Sequence, residues 1–519
     1  MFKYYKLTAN RLYLIIILIF TSSVIAFNSC NNNAPPTIKA QMVEGKVLAK
    51  KYCITCHQLP DPALIDRKSW EEGVLPAMGK NLGINSLMGQ YYPGKGSAMS
   101  ISDWQKIVLY YKNTAPVALI IPKPAVEPLK DWAIFSLQRP KNVNQAVKAM
   151  TTVVSFNPFN HQLYTGDAAY NLYKWDAGLN STLIHHFDSP ITGADFYKAP
   201  DGSNTAIITC IGDLPPTNLY RGKVYQLNLD VQNNKPDTIA GKLPRPVQTV
   251  AADFNKDGLM DYVVCGFGHD SGGLYLLQQQ AGHKFKKTTI RDVPGGEQLI
   301  TGDFNNDGWP DVMCLFAQAD EGIWMFLNDH KGGFITQNIM HFPAVYGSAS
   351  FQLVDFNHDG RPDILYTCGD NSDFSQVLKP YHGVYIFTNQ GNWKFKQTYF
   401  YHIDGCTKAI ADDFAHDGKF SIAAIAFFTD FKYHPQESFT YLEQTGLNQY
   451  RAHEIPVDNY GRWISMQVAD IDQDGYDDVI LGNFSIGGRG LLNQKDFTPQ
   501  WDKHEPVIIL KNIAGQKHK

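Results

Sequence analysis

The chain has 519 residues, 44% hydrophobic and 18% charged, with a formal net charge of −4. That length accommodates two or three domains of ordinary globular composition. A balance so near zero, with no basic stripe, argues against a nucleic-acid partner held through phosphates. Thirty Phe and 27 Tyr are what many short strands would supply.

At the N-terminus, Lys3, Lys6 and Arg11 accompany an apolar stretch from Leu12 to Phe20, and a weaker apolar run reaches Phe27. This is the pattern of an export signal. Ser29-Cys30 followed by three asparagines resembles a bacterial lipoprotein signal. The resemblance implies removal of residues 1–29 and lipidation of Cys30, giving a membrane anchor. An uncleaved anchor helix is the alternative, since a run of this length barely spans a bilayer. Either way the remainder is expected outside the cytoplasm, in the periplasm or on the surface of a Gram-negative-type bacterium. Residues 30–40 read as a polar tether stiffened by Pro35-Pro36.

Residues 53–57 read Cys53-Ile54-Thr55-Cys56-His57, the spacing that attaches c-type haem. Two thiols meet the two vinyl groups of one porphyrin, and the adjacent His becomes the proximal iron ligand. A redox dithiol or half of a zinc site are the competing readings, but no second ligand pair follows and no βαβ context surrounds the motif. Val43 to Tyr52 reads as a short amphipathic helix. Ser102 to Tyr111 reads as a second, with Ser102 as N-cap and Trp104, Ile107, Val108 and Tyr111 on one face. Residues 41–118 are therefore expected to form a small all-α cytochrome c domain. Met78, Met88 and Met99 are candidates for the second axial ligand. The segment resembles cytochrome modules joined to propellers in exported bacterial proteins. Their Trp…Leu-Pro-x-Met pattern matches Trp70 and Leu75 to Met78. That resemblance favours Met78 over Met99, with Met88 read as packing.

Residues 119–131 read as a linker. From 132 onward an all-β propeller is expected, because the chain repeats a unit of four β-like runs seven times. In the third unit the runs are Val247–Phe254, Asp261–Phe267, Gly273–Gln278 and Phe285–Ile290. The last unit lacks a fourth run, and the spare run Trp132 to Leu137 is predicted to complete it from the other end of the ring. Between the first and second runs lies an acidic loop. Its good copies carry Asp253, Asn255, Asp257 and Asp261; Asp303, Asn305, Asp307 and Asp311; Asp355, Asn357, Asp359 and Asp363; and Asp470, Asp472, Asp474 and Asp478. Oxygens at positions one, three, five and nine, with Gly at six, have the form of a calcium site that stabilises a blade. Degraded copies begin at Asp195 and Asp413. The loop resembles the FG-GAP/VCBS repeats of integrin-alpha-like propellers, and Gly266-Phe267-Gly268 echoes that motif.

Cys210, Cys265, Cys314, Cys368 and Cys406 are spread over separate units and read as small buried hydrophobes. His185, His186, His341, His402 and His453 fall near unit ends and read as surface residues. These observations favour an electron-transfer protein over a self-contained enzyme. The expected cofactors are covalent haem c and calcium, with a calcium-binding propeller that docks a redox partner protein or small-molecule reductant. A propeller dehydrogenase feeding electrons from a sugar or alcohol to the haem is one alternative. An adhesion or carbohydrate-binding propeller is the other.

Overall fold

The computed structural model describes residues 37–372, 374–487 and 497–517. The signal segment and Cys30 lie outside the described residues. No described helix is long and apolar enough to cross a membrane.

Twenty-eight strands form seven four-stranded antiparallel sheets arranged as the blades of a propeller. Blade one is Thr151–Asn157, Gln162–Asp167, Asn171–Trp175 and Ser181–His186. Blade three is Pro246–Ala252, Asp261–Gly266, Gly273–Gln280 and Lys284–Arg291, within two residues of the sequence expectation at every boundary; blades two, four, five and six occupy residues 191–243, 296–341, 348–402 and 406–454. Blade seven joins Trp463–Ala469, Asp478–Asn483 and Val507–Asn512 to an outer strand, Phe135–Gln138, drawn from ahead of blade one. Leu137 pairs with Leu510 and Phe135 with Asn512, so the ring is closed by its two ends. The closing strand covers the edge of Val507–Asn512 that blade seven would otherwise leave open.

Apolar residues on both faces of each blade hold the ring. The second strands of blades three, four, five, six and seven are buried at all six positions. Alternation is lost there because neighbouring blades cover both faces. Each seam has its own cluster: between blades six and seven, for example, Phe414, Tyr441 and Ile425 meet Trp463, Val479 and Leu510. Cys210 and Cys368 end their second strands, Cys265 and Cys314 lie within theirs, Cys406 opens the inner strand of blade six, and all five are free and fully buried.

The N-terminal segment has a separate core. Helix Ile38–Tyr52 crosses helix Ile101–Thr114 at Gly45, where a β-carbon would lie 2.0 Å from the Lys106 carbonyl. No side chain fits at so close an approach. Trp70, Trp104, Ile107 and Tyr111 fill this core, with the Trp70 and Tyr111 rings 4.3 Å apart. Two expectations are corrected. The segment is not all α, because Ile84–Leu87 and Gln90–Pro93 form a hairpin. The N-cap is Ser100, whose Oγ accepts the Asp103 amide at 3.1 Å, so Ser102 is already inside the helix.

Antiparallel order puts the acidic loops on one rim and the second-to-third connections on the other. The helical segment rests on this second rim: Val345 packs against its core and Gly73 abuts the Phe374 carbonyl. The linker ends by adding Leu129 to the outer strand of blade six, through Leu129 N–H to Ala452 and Glu454 N–H to Leu129.

Candidate functional site

The first helix continues into a tight turn, Cys53–Thr55, ahead of Cys56 and His57. Both thiols are free; Cys53 is half-buried and Cys56 exposed. Burial, with Cys56 adding, pushes the Cys53 thiol up to about 11. Such a thiol stays protonated, unlike the activated thiolate of a redox dithiol. His57 Nδ1 lies 2.7 Å from the Gln58 carbonyl oxygen. A carbonyl can only accept, so Nδ1 carries the proton and the neutral ring keeps its lone pair on Nε2. Cys53 and Met78 both pack against the core that holds Trp70 and Trp104. Met99 is buried within that core, whereas Met88 sits on the hairpin turn at 96% exposure. The donor set therefore fits a covalently attached haem: two thiols one turn apart, an imidazole nitrogen with a free lone pair, and a thioether on the same core. Among the described residues, Cys53, Cys56 and His57 are not part of any cluster close enough to hold a metal by themselves.

The four acidic loops share one construction. The first-position Asp253, Asp303, Asp355 and Asp470 each accept the amides of loop residues five and six at 2.8–3.1 Å. Position six needs positive φ, and Gly258, Gly308, Gly360 and Gly475 supply it at 81–92°. The ninth-position carboxylates are buried at the base of the loop. Asp261, Asp311, Asp363 and Asp478 each accept an amide from the third strand, of Gln279, Asn328, Asn389 and Asn512, at 2.7–2.8 Å. Burial first, then the neighbouring carboxylates, raises Asp261 to about 6 and Asp478 to about 7. Clustered carboxyls that resist ionisation are relieved by a bound cation.

Blade seven differs in its electrostatics. Asp470, Asp472 and Asp474 converge within metal-ligating distance, yet the Lys511 ammonium contacts Asp472 and lies 3.1 Å from Asp474. In blade four, His330 Nε2 sits 2.8 Å from Asp307. In blade five, Arg361 pairs with Asp359. The degraded loop of blade six keeps the same amide bonds to Asp413, and Lys419 pairs with Asp417 at 2.5 Å.

Sequence reasoning missed the central channel. Gln298 donates to the Phe351 carbonyl and accepts its amide, and Gln352 bridges to Ala411 in the same way, lacing consecutive inner strands together. A cavity of about 360 Å³ is lined by Gln298, Gln352, Lys408, Asp412 and Gln467. Asp195 also faces the channel interior, where burial raises it to about 7 against the opposing pull of Gln248 and Lys408. The signal was a polar residue recurring inside otherwise apolar first strands. The surface reading of His453 is also corrected. It is 6% exposed, and its Nδ1 lies 2.7 Å from Asp131, pinning the linker to blade six.

A model of the FG-GAP-like repeat matches residues 253–314 and 303–366. The chain thus carries FG-GAP-like repeats, in blades three to five of a seven-bladed β-propeller. It is similar to integrin alpha-7 of Homo sapiens, 26% identical over 276 residues, covering 45% of this chain and 22% of that protein. Integrin alpha-7 of Mus musculus is 25% identical over 276 residues, with the same coverage. The match therefore spans about a fifth of the length of these curated relatives. Among solved structures, the β-propeller domain of Myceliophteria thermophila Cps50 (Swd1) superposes with a TM-score of 0.43 at 10% identity, over 72% of this chain and 99% of that one.

Proposed function

We propose that this chain is an exported haem c electron-transfer protein, anchored through Cys30, whose calcium-stiffened propeller docks the redox partner. The observation that carries the reading is the Cys53–His57 motif on the end of a helix, with free thiols and His57 oriented by Gln58. Haem c, when bound, supplies one-electron redox chemistry. Cys53 and Cys56 would hold it covalently, His57 Nε2 would ligate its iron, and Met78, at the edge of the same core, would be the second ligand, with Met99 as the alternative. Iron held by two such residues would favour outer-sphere electron passage over oxygen activation. Asp253, Asn255 and Asp257, with their counterparts in blades four, five and seven, supply the oxygen-rich sites for calcium.

The test is to produce the chain with haem maturation machinery and measure its mass and its visible spectrum. A covalent tetrapyrrole and a low-spin spectrum are expected, both lost in Cys53→Ser/Cys56→Ser. Met78→Ala should alter the low-spin spectrum while Met99→Ala leaves it; a colourless wild-type protein overturns the reading. A second reading, ligand docking without electron transfer, draws on the similarity to integrin alpha-7. Partner binding that survives deletion of residues 41–118 unchanged would favour it.

A further inference from the structure

The helix Ile38–Tyr52 has one face in the core of the N-terminal segment and one in solvent. Gly45 and Ala49 are buried, and Leu48 and Tyr52 pack on the same core. At 3.6 residues per turn, Lys39, Val43, Lys46, Val47 and Lys50 fall within an arc of about 100° on the opposite side. Val43 and Val47 are 61% and 63% exposed. Ile54, in the turn that follows, is also exposed and carries the stripe up to the Cys53–His57 motif.

Charge separates this stripe from an ordinary solvated helix face. Such a face interleaves lysines with acids three or four residues away. Here the helix has a single acid, Glu44, which lies off the stripe and is tied to Lys106 at 2.7 Å. Among the described residues, no carboxylate pairs with Lys39, Lys46 or Lys50. The chain as a whole carries −4, so the positive stripe is a local feature rather than a reflection of overall basicity. Alternating free ammonium groups and exposed valines suit a surface that is anionic outside and apolar beneath.

Position singles out the occupant. Thr37, which caps the helix, stands seven residues after Cys30. That stretch reaches at most about 25 Å when fully extended. With Cys30 carrying the anchor proposed above, the stripe is held close to a bilayer. We propose that it lies against anionic phospholipid headgroups, with Lys39, Lys46 and Lys50 on the phosphates and Val43, Val47 and Ile54 at the acyl boundary. Lysine stems let the ammonium groups reach the headgroups while the shorter aliphatic side chains sit deeper. The inference rests on the proposed anchor for its location, and on neither haem nor calcium. An acidic protein would answer the lysines equally, but it gives no account of a stripe that starts where the anchor ends.

The test is amine footprinting of the full chain on vesicles of phosphatidylcholine, with or without phosphatidylglycerol. Lysines are acylated by a membrane-impermeant reagent and read by peptide mass spectrometry. Lys284 and Lys286, exposed at the acidic-loop end of blade three and so on the rim away from the helical segment, are the internal control. Labelling of Lys39, Lys46 and Lys50 should fall about fivefold or more on the anionic vesicles. The protection should vanish near about 1 M salt, where the screening length is about 3 Å. Val43→Glu/Val47→Glu changes only exposed positions; it should abolish the protection while the chain still sediments with the vesicles. A chain that does not sediment refutes the anchor, and excess anionic vesicles then decide the stripe by themselves: protection supports it and none overturns it. Equal labelling on both vesicle types, or unchanged protection in the double variant, overturns the proposal. Protection on native membranes but not on protein-free anionic vesicles assigns the face to a membrane protein and overturns it as well.

Discussion

In blade three, Asp253, Asn255 and Asp257 point their oxygens into a loop where, among the described residues, no cation forms an ion pair with them. In blade seven the matching oxygens of Asp472 and Asp474 close on the Lys511 ammonium. The loops themselves are nearly the same sequence. The difference lies in the third strand, one residue before the amide that ties down the ninth-position Asp. That residue is Gln278 in blade three, Leu327 in blade four, Thr388 in blade five and Lys511 in blade seven. An acidic loop thus does not fix its own need for a metal; a neighbouring strand can supply the positive charge from within the chain.

Chelation should move stability most. Removing calcium from the loops of blades three to five is expected to cost about 2.7 kcal/mol for each site that was roughly 100-fold saturated. Thermal unfolding with and without chelator, beside calorimetric counting of bound ions, checks this; a chelator-insensitive melting temperature breaks the comparison. Next comes the buried anchor. Asp311→Ala strands the amides of Asn328 and Phe304 at a fully buried site and should cost about 2–5 kcal/mol even without calcium. Asp303→Ala, whose bonded amides are exposed and can turn to water, should cost under about 1 kcal/mol in chelator while removing one bound ion.

Lys511→Gln should destabilise the chelated protein by about 1 kcal/mol, because Asp472 and Asp474 lose their partner. With calcium present the loss should vanish, and calorimetry should show tighter binding of one ion. The opposite rim supplies a control that is independent of the loops. Burial first, then Asp404 and Glu454, raises Glu437 to about 8 from an ordinary 4.5. Its protonated form is the one the fold favours, so its contribution is intact below pH 4.5 and is lost as pH rises through 8. The slope is at most about 1.4 kcal/mol per pH unit. Glu437→Gln should flatten it, equally with and without calcium, whereas a calcium-dependent change would tie that rim to the loops.

The propeller was legible because its signals are local and repeated. Each Asp-x-Asn-x-Asp-Gly turn marks one blade, and the missing fourth run after Val507–Asn512 pointed to the strand before blade one. Helix existence near Cys53 and Trp104 was legible from apolar spacing, but the Ser100 cap was not, since Ser100 and Ser102 are equally good candidates until the backbone is seen. The Ile84–Leu87 hairpin is too short and too exposed to carry an apolar alternation. Lys511 was illegible for a different reason: it acts on residues outside its own strand, and its partners are set by the folded blade rather than by sequence neighbours. The free lone pair on His57 Nε2 likewise follows from where the Gln58 carbonyl sits.

Ring closure by Phe135–Gln138 has a consequence for biogenesis. Synthesis from the N-terminus delivers the helical segment, the closing strand and six blades before residues 507–512 emerge. Until they do, the closing strand has no mate and the seam beside blade one lies open. Completion of the barrel-like body is therefore tied to release of the tail, and a premature stop anywhere in blade seven would leave a horseshoe with two sticky edges rather than a slightly shorter propeller.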